Sequence, residues 1–398
     1  MTQPQRTIRF STPTIGEEEI AEVVDSLRSN WITTGPKVQR FGTEFAEMVG
    51  APGALPLASC TAASHVALAA AGIGPGDAVL TTTNTFVSTA HVIEQVGATP
   101  ILLDTDPETM NLDPATIEPA IAAAKAKGLR PAGIVPVHFA GQPCEMDQIL
   151  ELCAQHDLFC LEDAAHALLA HYRGVTIGNV DHPSVRRAVA FSFYATKNVT
   201  TGEGGMLTGS PDFIEAAKPW SLHGMGRDAW KRYGTRGGWH YDVTMAGFKY
   251  NMTDIQAAIG IHQLKRIPGI QARRREIVAR YTAGLADVGA IETPMARPHV
   301  DHAWHLYVAR LNLDQLTIDR DKFIIELEDR GIGVSVHFIP VHLHQYYAER
   351  YGYAPGDLPV AWREYNRMVT LPLYPAMEDA DVDYVIETVR DIAANYAR

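Results

Sequence analysis

Two spacings of hydrophobic residues alternate over the first two-thirds of the chain. Apolar residues at helical spacing predict helices in "GEEEIAEVVDSLRSN", "CTAASHVALAAAGIGPGD", "TFVSTAHVIEQVG" and "EMDQILELCAQHD". Between them, short apolar segments predict strands in "AVLTTT", "ATPILLDTD", "AGIVPVHF", "LFCLEDAAHA" and "AVAFSFYATKN". Strands that alternate with helices predict an α/β fold, with a mostly parallel sheet between helices.

The pattern changes after about residue 254. Long helical segments, "DIQAAIGIHQLKRI" and "IQARRREIVARYTAGLADV", are followed by "AWHLYVARLN", a helix in "DRDKFIIELEDRG" and a strand in "VSVHFI". These elements predict a smaller C-terminal α+β domain. A chain of 398 residues with 46% hydrophobic content is also too long for one core. We expect a large domain over residues 1–268, including the N-terminal helix, and a small domain over 269–398.

Charge and cysteine usage exclude several function classes. The net charge is −12 and no block of like charge occurs, which argues against nucleic-acid partners and anionic membranes. No apolar run suits a signal peptide or a membrane span. The four cysteines form no Cys-x-x-Cys pair, so reduced thiols in a cytoplasmic protein are expected: Cys60, Cys144, Cys153 and Cys160.

In such a sheet, the loops at the carboxyl ends of strands build the site, and two of them suggest a phosphate and a ring. In "LASCTAASHVAL", the N–H groups of Ser59 to Ala62 could bind a phosphate at the start of a helix. An ordinary helix cap by Ser59 or Thr61 is the alternative. In "TTTNTFVSTAHVI", Phe86 could lie flat on an aromatic ring, or could be a core residue.

Two further strand ends carry a carboxylate and an amine. "LFCLEDAAHA" places Asp163 where it could pair with a protonated ring nitrogen or cap a helix. "FSFYATKNVTTGEGGML" places Lys197 after a strand, five residues beyond Ser192, as a candidate Schiff-base former. A phosphate anchor, a stacking ring, an acid and an amine are together the contacts that pyridoxal 5′-phosphate (PLP) requires.

Three of these stretches resemble a known family. "EDAAHA", "FSFYATKNVTTGEGGM" and "GFKYNMTDIQAAIG" resemble the DegT/DnrJ/EryC1/StrS family of PLP-dependent sugar aminotransferases. The resemblance runs nearly end to end through "WITTGPKVQRF", "PVHFAGQPCEMD", "HAWHLYV", "SVHFIPVHLHQYY" and "LPLYP". It implies the fold type I aminotransferase architecture and a cavity that binds PLP.

The resemblance also implies roles for individual residues. Lys197 would hold PLP covalently, Asp163 would pair with the pyridine nitrogen, and His166 would lie near the phenolic oxygen. The other expected cofactor contacts are Phe86 by stacking and Thr61, Ala62 and Ser192 at the phosphate, with Cys60 where a glycine is common. The family site is shared across a homodimer, and either Asn251 or Lys249 would reach the phosphate of the other subunit.

The implied reaction moves an amino group from an amino acid, with L-glutamate as the usual donor, to a keto sugar. A nucleotide-linked 4-keto or 3-keto sugar is expected, and the "GFKYN" form is similar to the branch that aminates a UDP-linked 4-keto pentose. The expected substrate contacts are Thr34, His337 and His342. Arg227, in the basic stretch "HGMGRDAWKRYGTR", could contact a nucleotide diphosphate or belong to a solvated basic face. The irregular spacing of His337, His342 and His344 predicts no metal site.

Other functions share some of these features. A cyclitol aminotransferase has the same motifs and stays open as an alternative. A PLP-dependent sugar dehydratase lacks the Schiff-base lysine, so Lys197 argues against it. A PLP-binding regulatory protein would need an inert site, which the pair of Lys197 and Asp163 argues against. "GIGPGD" follows a helix and does not match the nicotinamide-binding fingerprint.

Overall fold

The computed structural model describes residues 6–225 and 242–398. Within these ranges the helices are α1 (Glu17–Arg28), α2 (Pro36–Val49), α3 (Cys60–Ala70), α4 (Ser88–Gln95), α5 (Ile117–Ala126), α6 (Met146–His156), α7 (Pro211–Ser221), α8 (Asp254–Leu285), α9 (Arg320–Asp329), α10 (Gln345–Tyr351), α11 (Pro359–Tyr365) and α12 (Asp379–Asn395). The strands are β1 (Ala54–Leu57), β2 (Asp77–Thr82), β3 (Thr99–Leu103), β4 (Arg130–Val135), β5 (Phe159–Asp163), β6 (His171–Tyr172), β7 (Val175–Thr176), β8 (Arg187–Ser192), β9 (Gly205–Gly209), β10 (Ile291–Glu292), β11 (Val300–Asp301), β12 (Tyr307–Leu311) and β13 (Met368–Leu371).

The central sheet of the described residues has seven strands in the order β1-β9-β8-β5-β4-β2-β3. Strands β3, β2, β4, β5 and β8 pair in parallel, whereas β9 is antiparallel to both β8 and β1. The predicted mostly parallel sheet is therefore confirmed. Six of the seven strands point the same way, so their carboxyl ends meet along one edge of the sheet.

Helices cover both faces of this sheet, which explains why its strands lack a polar face. Every residue of β2, β5 and β9 is buried. Successive residues of a strand point to opposite faces, so β8 sends Phe191 into one core and Ala190 into the other. On the first face, Phe41 and Phe45 of α2 pack edge-on against Phe191 of β8 and against Phe193, which follows the strand.

A separate core holds the C-terminal elements around the small sheet β10-β12-β13. Helix α8 joins the two parts, because Ile267 belongs to the core of the large sheet and Ile277 to the C-terminal core. The division at 268/269 falls inside this uninterrupted helix and stays a prediction. Near the amino terminus, Ile8 packs in the C-terminal core, where its backbone N–H bonds to Gly331.

Two local expectations differ from the structure. The two helical segments after residue 254 form the single 32-residue helix α8. The predicted strand "VSVHFI" is wrong, because it makes one isolated bridge at Ser335 with Thr370 and then leaves the sheet edge. His337 and Phe338 instead turn into a cavity. Among the described residues, no helix combines the length and apolar character that a membrane crossing requires.

Candidate active site

A cavity of about 450 Å³ lies at the carboxyl edge of the large sheet. Its floor comes from the end of β5 and the loop after β8, and one wall comes from the first turn of α3. The loop before α4 supplies a second wall. The opposite side comes from the C-terminal part of the chain and from Phe10 and Ser11 near the amino terminus. Segments far apart in sequence thus converge on one site.

Lys197 reaches this cavity from a tight loop. Its backbone N–H bonds to the carbonyl of Tyr194 at 2.9 Å, and Thr200 donates its hydroxyl to the carbonyl of Phe193 at 3.1 Å. Burial lowers the pKa of the Lys197 amine to about 8, although Cys60 and Asp163 act in the opposite direction. A useful fraction of this amine is therefore unprotonated and nucleophilic near neutral pH.

The Asp163 carboxylate faces the same cavity and is held by several donors. Its Oδ2 accepts a hydrogen bond from the Thr89 hydroxyl at 2.8 Å. Its Oδ1 accepts from the N–H of Ala165 at 3.1 Å and lies 3.9 Å from Cys60 Sγ. No helix follows β5, because residues 164–170 form turns, so the helix-cap interpretation of Asp163 is wrong. The fixed carboxylate is suited to pair with a cation in the cavity.

The neighbouring acid, Glu162, points to the other face of β5 and does not line the cavity. It accepts hydrogen bonds from Arg187 at 2.6 Å and from His138 at 3.1 Å. Burial by itself would raise the pKa of Glu162, but the arginine and the histidine hold it at about 2. The alternation of the strand thus separates a structural carboxylate from Asp163.

His166 presents one ring nitrogen to the protein and leaves the other as a donor. The N–H of Ala140 donates to His166 Nδ1 at 3.3 Å. Burial lowers the pKa of His166 well below its usual value, and Lys197 and His337 add to the effect. The ring is therefore neutral, and its proton is assigned to Nε2 because Nδ1 accepts. The ring also stacks on Phe338, with centroids 5.8 Å apart.

The first turn of α3 combines a helix cap with free N–H groups. Ser59 Oγ accepts from the N–H of Ala62 at 3.0 Å, so the cap interpretation is confirmed for Ser59. The Ala62 N–H is less available to a phosphate than expected, because it already donates to Ser59 Oγ. The N–H groups of Cys60 and Thr61 have no acceptor within the helix, and both residues line the cavity. They supply positive helix-terminal charge there.

Two details shape this turn of α3. A Cβ on Gly205 would come within 2.3 Å of the Ser59 carbonyl carbon, so only glycine lets β9 approach the helix so closely. Burial raises the pKa of the Cys60 thiol well above its usual value, and Asp163 adds to the rise. Cys60 therefore stays a neutral thiol beside the carboxylate.

Phe86 lies in the cavity rather than in a core. It is 60% exposed, and its ring centroid lies 6.1 Å from that of Phe338. The core interpretation of Phe86 is therefore wrong. Ser192 also lines the cavity, where its hydroxyl accepts from the N–H of Tyr194 at 3.3 Å.

Three predicted residues gather outside this chain's own cavity. Asn251 donates to the Thr34 hydroxyl at 2.6 Å, and the Lys249 amine contacts the Asn251 side-chain oxygen. None of the three lines the cavity. They are not the cap of α8 either, because Thr253 caps that helix with its own hydroxyl.

The predicted substrate histidines separate. His337 lines the cavity, stacks on Phe10 and bonds through Nδ1 to the Thr370 hydroxyl at 3.0 Å. Burial lowers the pKa of His337 to about 3, so its ring is neutral. The expectation for His342 is corrected, because its ring is fully buried 2.7 Å from the Thr83 hydroxyl and lines no part of the cavity. Arg227 lies outside the described residues.

The structure adds residues of the site that sequence reasoning missed. Thr89 is buried beside the cavity, where its hydroxyl donates to Asp163. His305, Phe338 and Phe10 come from distant parts of the chain. The motif "HAWHLYV" drew attention to the region of His305, but no spacing in the sequence connects it with Lys197.

The cavity fits PLP on its own geometry. It places a buried amine, a fixed carboxylate, an uncovered aromatic face and the N–H groups of a helix terminus around one space. The chain matches the model of the DegT/DnrJ/EryC1/StrS aminotransferase family over residues 13–390. The chain belongs to this family.

Relatives agree with that assignment. The chain is 49% identical to the spore coat polysaccharide biosynthesis protein SpsC of Bacillus subtilis over 385 residues, covering 96% of each chain. Among solved structures, it resembles the putative sugar aminotransferase Spr1654 of Streptococcus pneumoniae in its PMP form, with a TM-score of 0.88, 33% identity and 98% coverage of each chain. It also resembles Helicobacter pylori PseC, an aminotransferase involved in the biosynthesis of pseudoaminic acid, with a TM-score of 0.87, 25% identity and coverage of 98% and 100%.

Family membership confirms several predictions together. The fold class, the enzyme class of a PLP-dependent sugar aminotransferase and the PLP cofactor are as the sequence predicted. The acceptor sugar, the amino donor and the roles of single residues are treated below as proposals.

Proposed function

We propose that this chain transfers an amino group from an amino acid, with L-glutamate as the donor, to a nucleotide-linked keto sugar with its carbonyl at C4 or C3. The observation that carries the proposal is the meeting of Lys197 and Asp163 in one cavity of a chain from this family. An amine that binds the aldehyde and a carboxylate that pairs with the ring nitrogen are what transamination on PLP requires.

The cofactor would be held by groups already in position. Lys197 would bind it covalently, Asp163 would pair with its ring nitrogen and Phe86 would cover one face of its ring. Ser192 and the N–H groups of Cys60 and Thr61 would hold its phosphate, as helix N-termini commonly hold anions. When bound, PLP supplies an electron sink for the bonds at the carbon that carries the amino group.

The side chains of this protein would move and hold the protons. Lys197 Nζ, whose pKa is about 8, can accept a proton and return it at neutral pH. Asp163 keeps its charge directed into the cavity through the bond from Thr89. His166 offers its Nε2–H as a neutral donor toward an oxygen in the cavity.

The acceptor side supports a sugar rather than a large apolar substrate. His337 and His305 are neutral rings on this side of the cavity, so they can exchange hydrogen bonds with hydroxyl groups. The rings of Phe10 and Phe338 flank them and can pack on the apolar face of a sugar ring. The relatives named for spore coat polysaccharide and pseudoaminic acid biosynthesis also favour a sugar acceptor.

We further propose a homodimer with shared sites. Helix α1 exposes Ile20 and Leu27, which are 48% and 52% exposed and share one face because they are seven residues apart. Trp31 and Ile32 extend this apolar surface beyond the helix. The polar cluster of Asn251, Lys249 and Thr34 follows Trp31 and Ile32 and lies outside its own cavity. If the apolar surfaces of two chains packed together, the polar cluster of each chain would reach the PLP phosphate bound by the other.

A cytoplasmic location and a division into domains at 268/269 complete the proposal. All four cysteines are free thiols, which suits a reducing compartment. Two separate hydrophobic cores meet along α8, which suits a division within that helix.

A half-reaction screen tests the acceptor. The protein is converted with L-glutamate to its pyridoxamine form, and single acceptors are then added while the return of the PLP absorbance is followed. Nucleotide-linked 4-keto and 3-keto sugars should restore it, whereas a keto-cyclitol and the matching free keto sugars should not. If only the keto-cyclitol restores the PLP absorbance, the acceptor is a cyclitol and not a nucleotide-linked sugar. If L-glutamate does not form the pyridoxamine form, glutamate is not the donor.

A further inference from the structure

His305 forms a hydrogen bond with the residue that follows Lys197. Its Nδ1 lies 3.1 Å from the side-chain oxygen of Asn198. The amide nitrogen of Asn198 donates to the carbonyl of Ala303 at 3.0 Å, which fixes the amide orientation and leaves its oxygen toward His305. Since this oxygen only accepts, His305 Nδ1 carries the proton and donates.

The same amide ties the lysine loop to helix α8. Asn198 Nδ2 lies 3.3 Å from the side-chain oxygen of Gln271, and Gln271 donates to the carbonyl of Ala303 at 2.8 Å. Asn198, Gln271 and His305 are all nearly inaccessible to solvent, with exposures of 6%, 4% and 5%. Water therefore competes little with these bonds, and the loss of one leaves a buried polar group unpaired.

His305 also touches the second predicted catalytic side chain. Its ring centroid lies 4.5 Å from that of His166. Its backbone N–H donates to the carbonyl of Ala140 at 2.9 Å, and the N–H of Ala140 donates to His166 Nδ1. One residue is thus linked both to the loop of Lys197 and to the ring of His166.

We infer that His305 is a positioning residue, which holds the loop of Lys197 through Asn198 and the ring of His166 through direct, tilted ring contact. The inference rests on the proposed role of Lys197 and deepens it. A lysine amine that is loosely held can move to water and regain its charge, whereas a fixed loop keeps it inside the cavity. The bond from His305 Nδ1 is the feature that distinguishes this role from substrate contact through Nε2.

Two substitutions separate the two ring nitrogens. Burial lowers the pKa of His305 well below its usual value, with His166 and Lys197 contributing, so the ring is neutral and carries its one proton on Nδ1. His305→Asn places an amide donor near the Nδ1 position and can keep the bond to Asn198. His305→Gln places its amide near Nε2 and cannot.

The experiment measures capture of PLP by the apoprotein without amino acid or sugar. PLP is added between pH about 6 and about 10, a range that brackets the lysine titration. The covalent product is trapped with borohydride and located by peptide mapping. Melting temperatures are recorded for every variant, so that a general loss of folding is recognised.

We expect His305→Gln to slow capture about tenfold, the effect of one buried hydrogen bond, and to shift its pH midpoint upward from about 8. A shift occurs because the released amine regains water and its usual pKa. His305→Asn should capture PLP within about twofold of the natural chain and keep the midpoint. Slower PLP capture by His305→Gln than by His305→Asn is the result that indicates the Nδ1 bond.

Asn198→Ala provides a second test that does not alter the histidine. It should capture PLP as slowly as His305→Gln does. The double variant Asn198→Ala/His305→Gln should be no slower than either single variant, because both substitutions remove the same hydrogen bond. Equal capture by the Gln and Asn variants, a reversed order, or additive effects in the double variant would each overturn the inference. If the natural apoprotein itself does not trap PLP on Lys197, the proposed function fails instead.

Discussion

At the scale of single residues, the site depends on small differences of environment between like groups. Asp163 and Glu162 are adjacent, but strand alternation turns one to the cavity and the other to Arg187. Burial lowers the pKa of the Lys197 amine to about 8. Environment rather than residue type therefore separates the reactive groups from the structural ones.

Removal of the amine should abolish covalent cofactor binding. Lys197→Ala is expected to give no borohydride-stable adduct with PLP, because the buried amine that attacks the aldehyde is gone. Lys218→Ala, which removes an exposed lysine of α7, is the matched control and should trap PLP normally. Mass spectrometry after reduction provides the measurement. A covalent adduct of the Lys197 variant at another lysine would contradict the assignment.

Loss of the Asp163 charge should affect turnover more than binding. Asp163→Asn keeps the shape and the bond from Thr89 but cannot hold a ring proton by charge, so transamination should slow by about 10²-fold or more. PLP content should remain close to that of the natural chain. Single-turnover kinetics with glutamate check the rate, with the exposed Asp212→Asn as control. Near-normal turnover of the Asp163 variant would exclude the proposed role.

At the scale of elements, β5 and β8 are held together by a buried ion pair behind the site. The Glu162 carboxylate receives Arg187 from the neighbouring strand and His138 from the segment after β4. These bonds fix β5, which ends at Asp163, and β8, which leads into the loop of Lys197. Because Glu162 is fully buried and Arg187 nearly so, removal of one partner leaves a poorly compensated charge.

The pKa of Glu162 predicts the pH dependence of that contribution. The value is about 2 in the folded chain against 4.5 for the free group, so the bonds stabilise the fold fully above about pH 4.5 and the effect disappears as pH falls through 2. Glu162→Gln should lower the free energy of unfolding at pH 7 by about 3 kcal/mol. Denaturant titrations at several pH values measure this. Glu118→Gln, which removes an exposed pair with His156, is the control and should change the free energy of unfolding little. An equal loss of stability in both variants, or a loss in Glu162→Gln that does not depend on pH, would contradict the explanation.

At the scale of the whole molecule, the arrangement of surfaces suggests that one chain is not a complete site. Ser192 and the first turn of α3, the proposed phosphate contacts, line the cavity of their own chain. Asn251 and Lys249 lie outside this chain's own cavity, and Asn251 bonds to Thr34, which follows the exposed apolar residues Trp31 and Ile32. Polar groups next to exposed apolar surface are typical of an interface between subunits.

Subunit complementation tests this arrangement. A Lys197→Ala chain is mixed with a Lys249→Ala/Asn251→Ala chain under conditions that exchange subunits. If sites are shared, half of the mixed dimer's sites carry both defects and the other half are intact, so activity should rise above that of either parent. Sedimentation as a monomer, or no gain after exchange has been demonstrated, would exclude shared sites.

The sequence by itself determined the alternation of strands and helices, the parallel sheet and the residues Lys197 and Asp163 at its carboxyl edge. These features follow from local periodicity and from short motifs, since the side-chain pattern of a strand or helix is written within a few residues. Only the tertiary structure decided that His342 is buried on Thr83 and that His305 contacts both Asn198 and His166. Such contacts join segments up to 259 residues apart. They depend on how helices and sheet pack as solid bodies, and no periodicity along the chain records that packing.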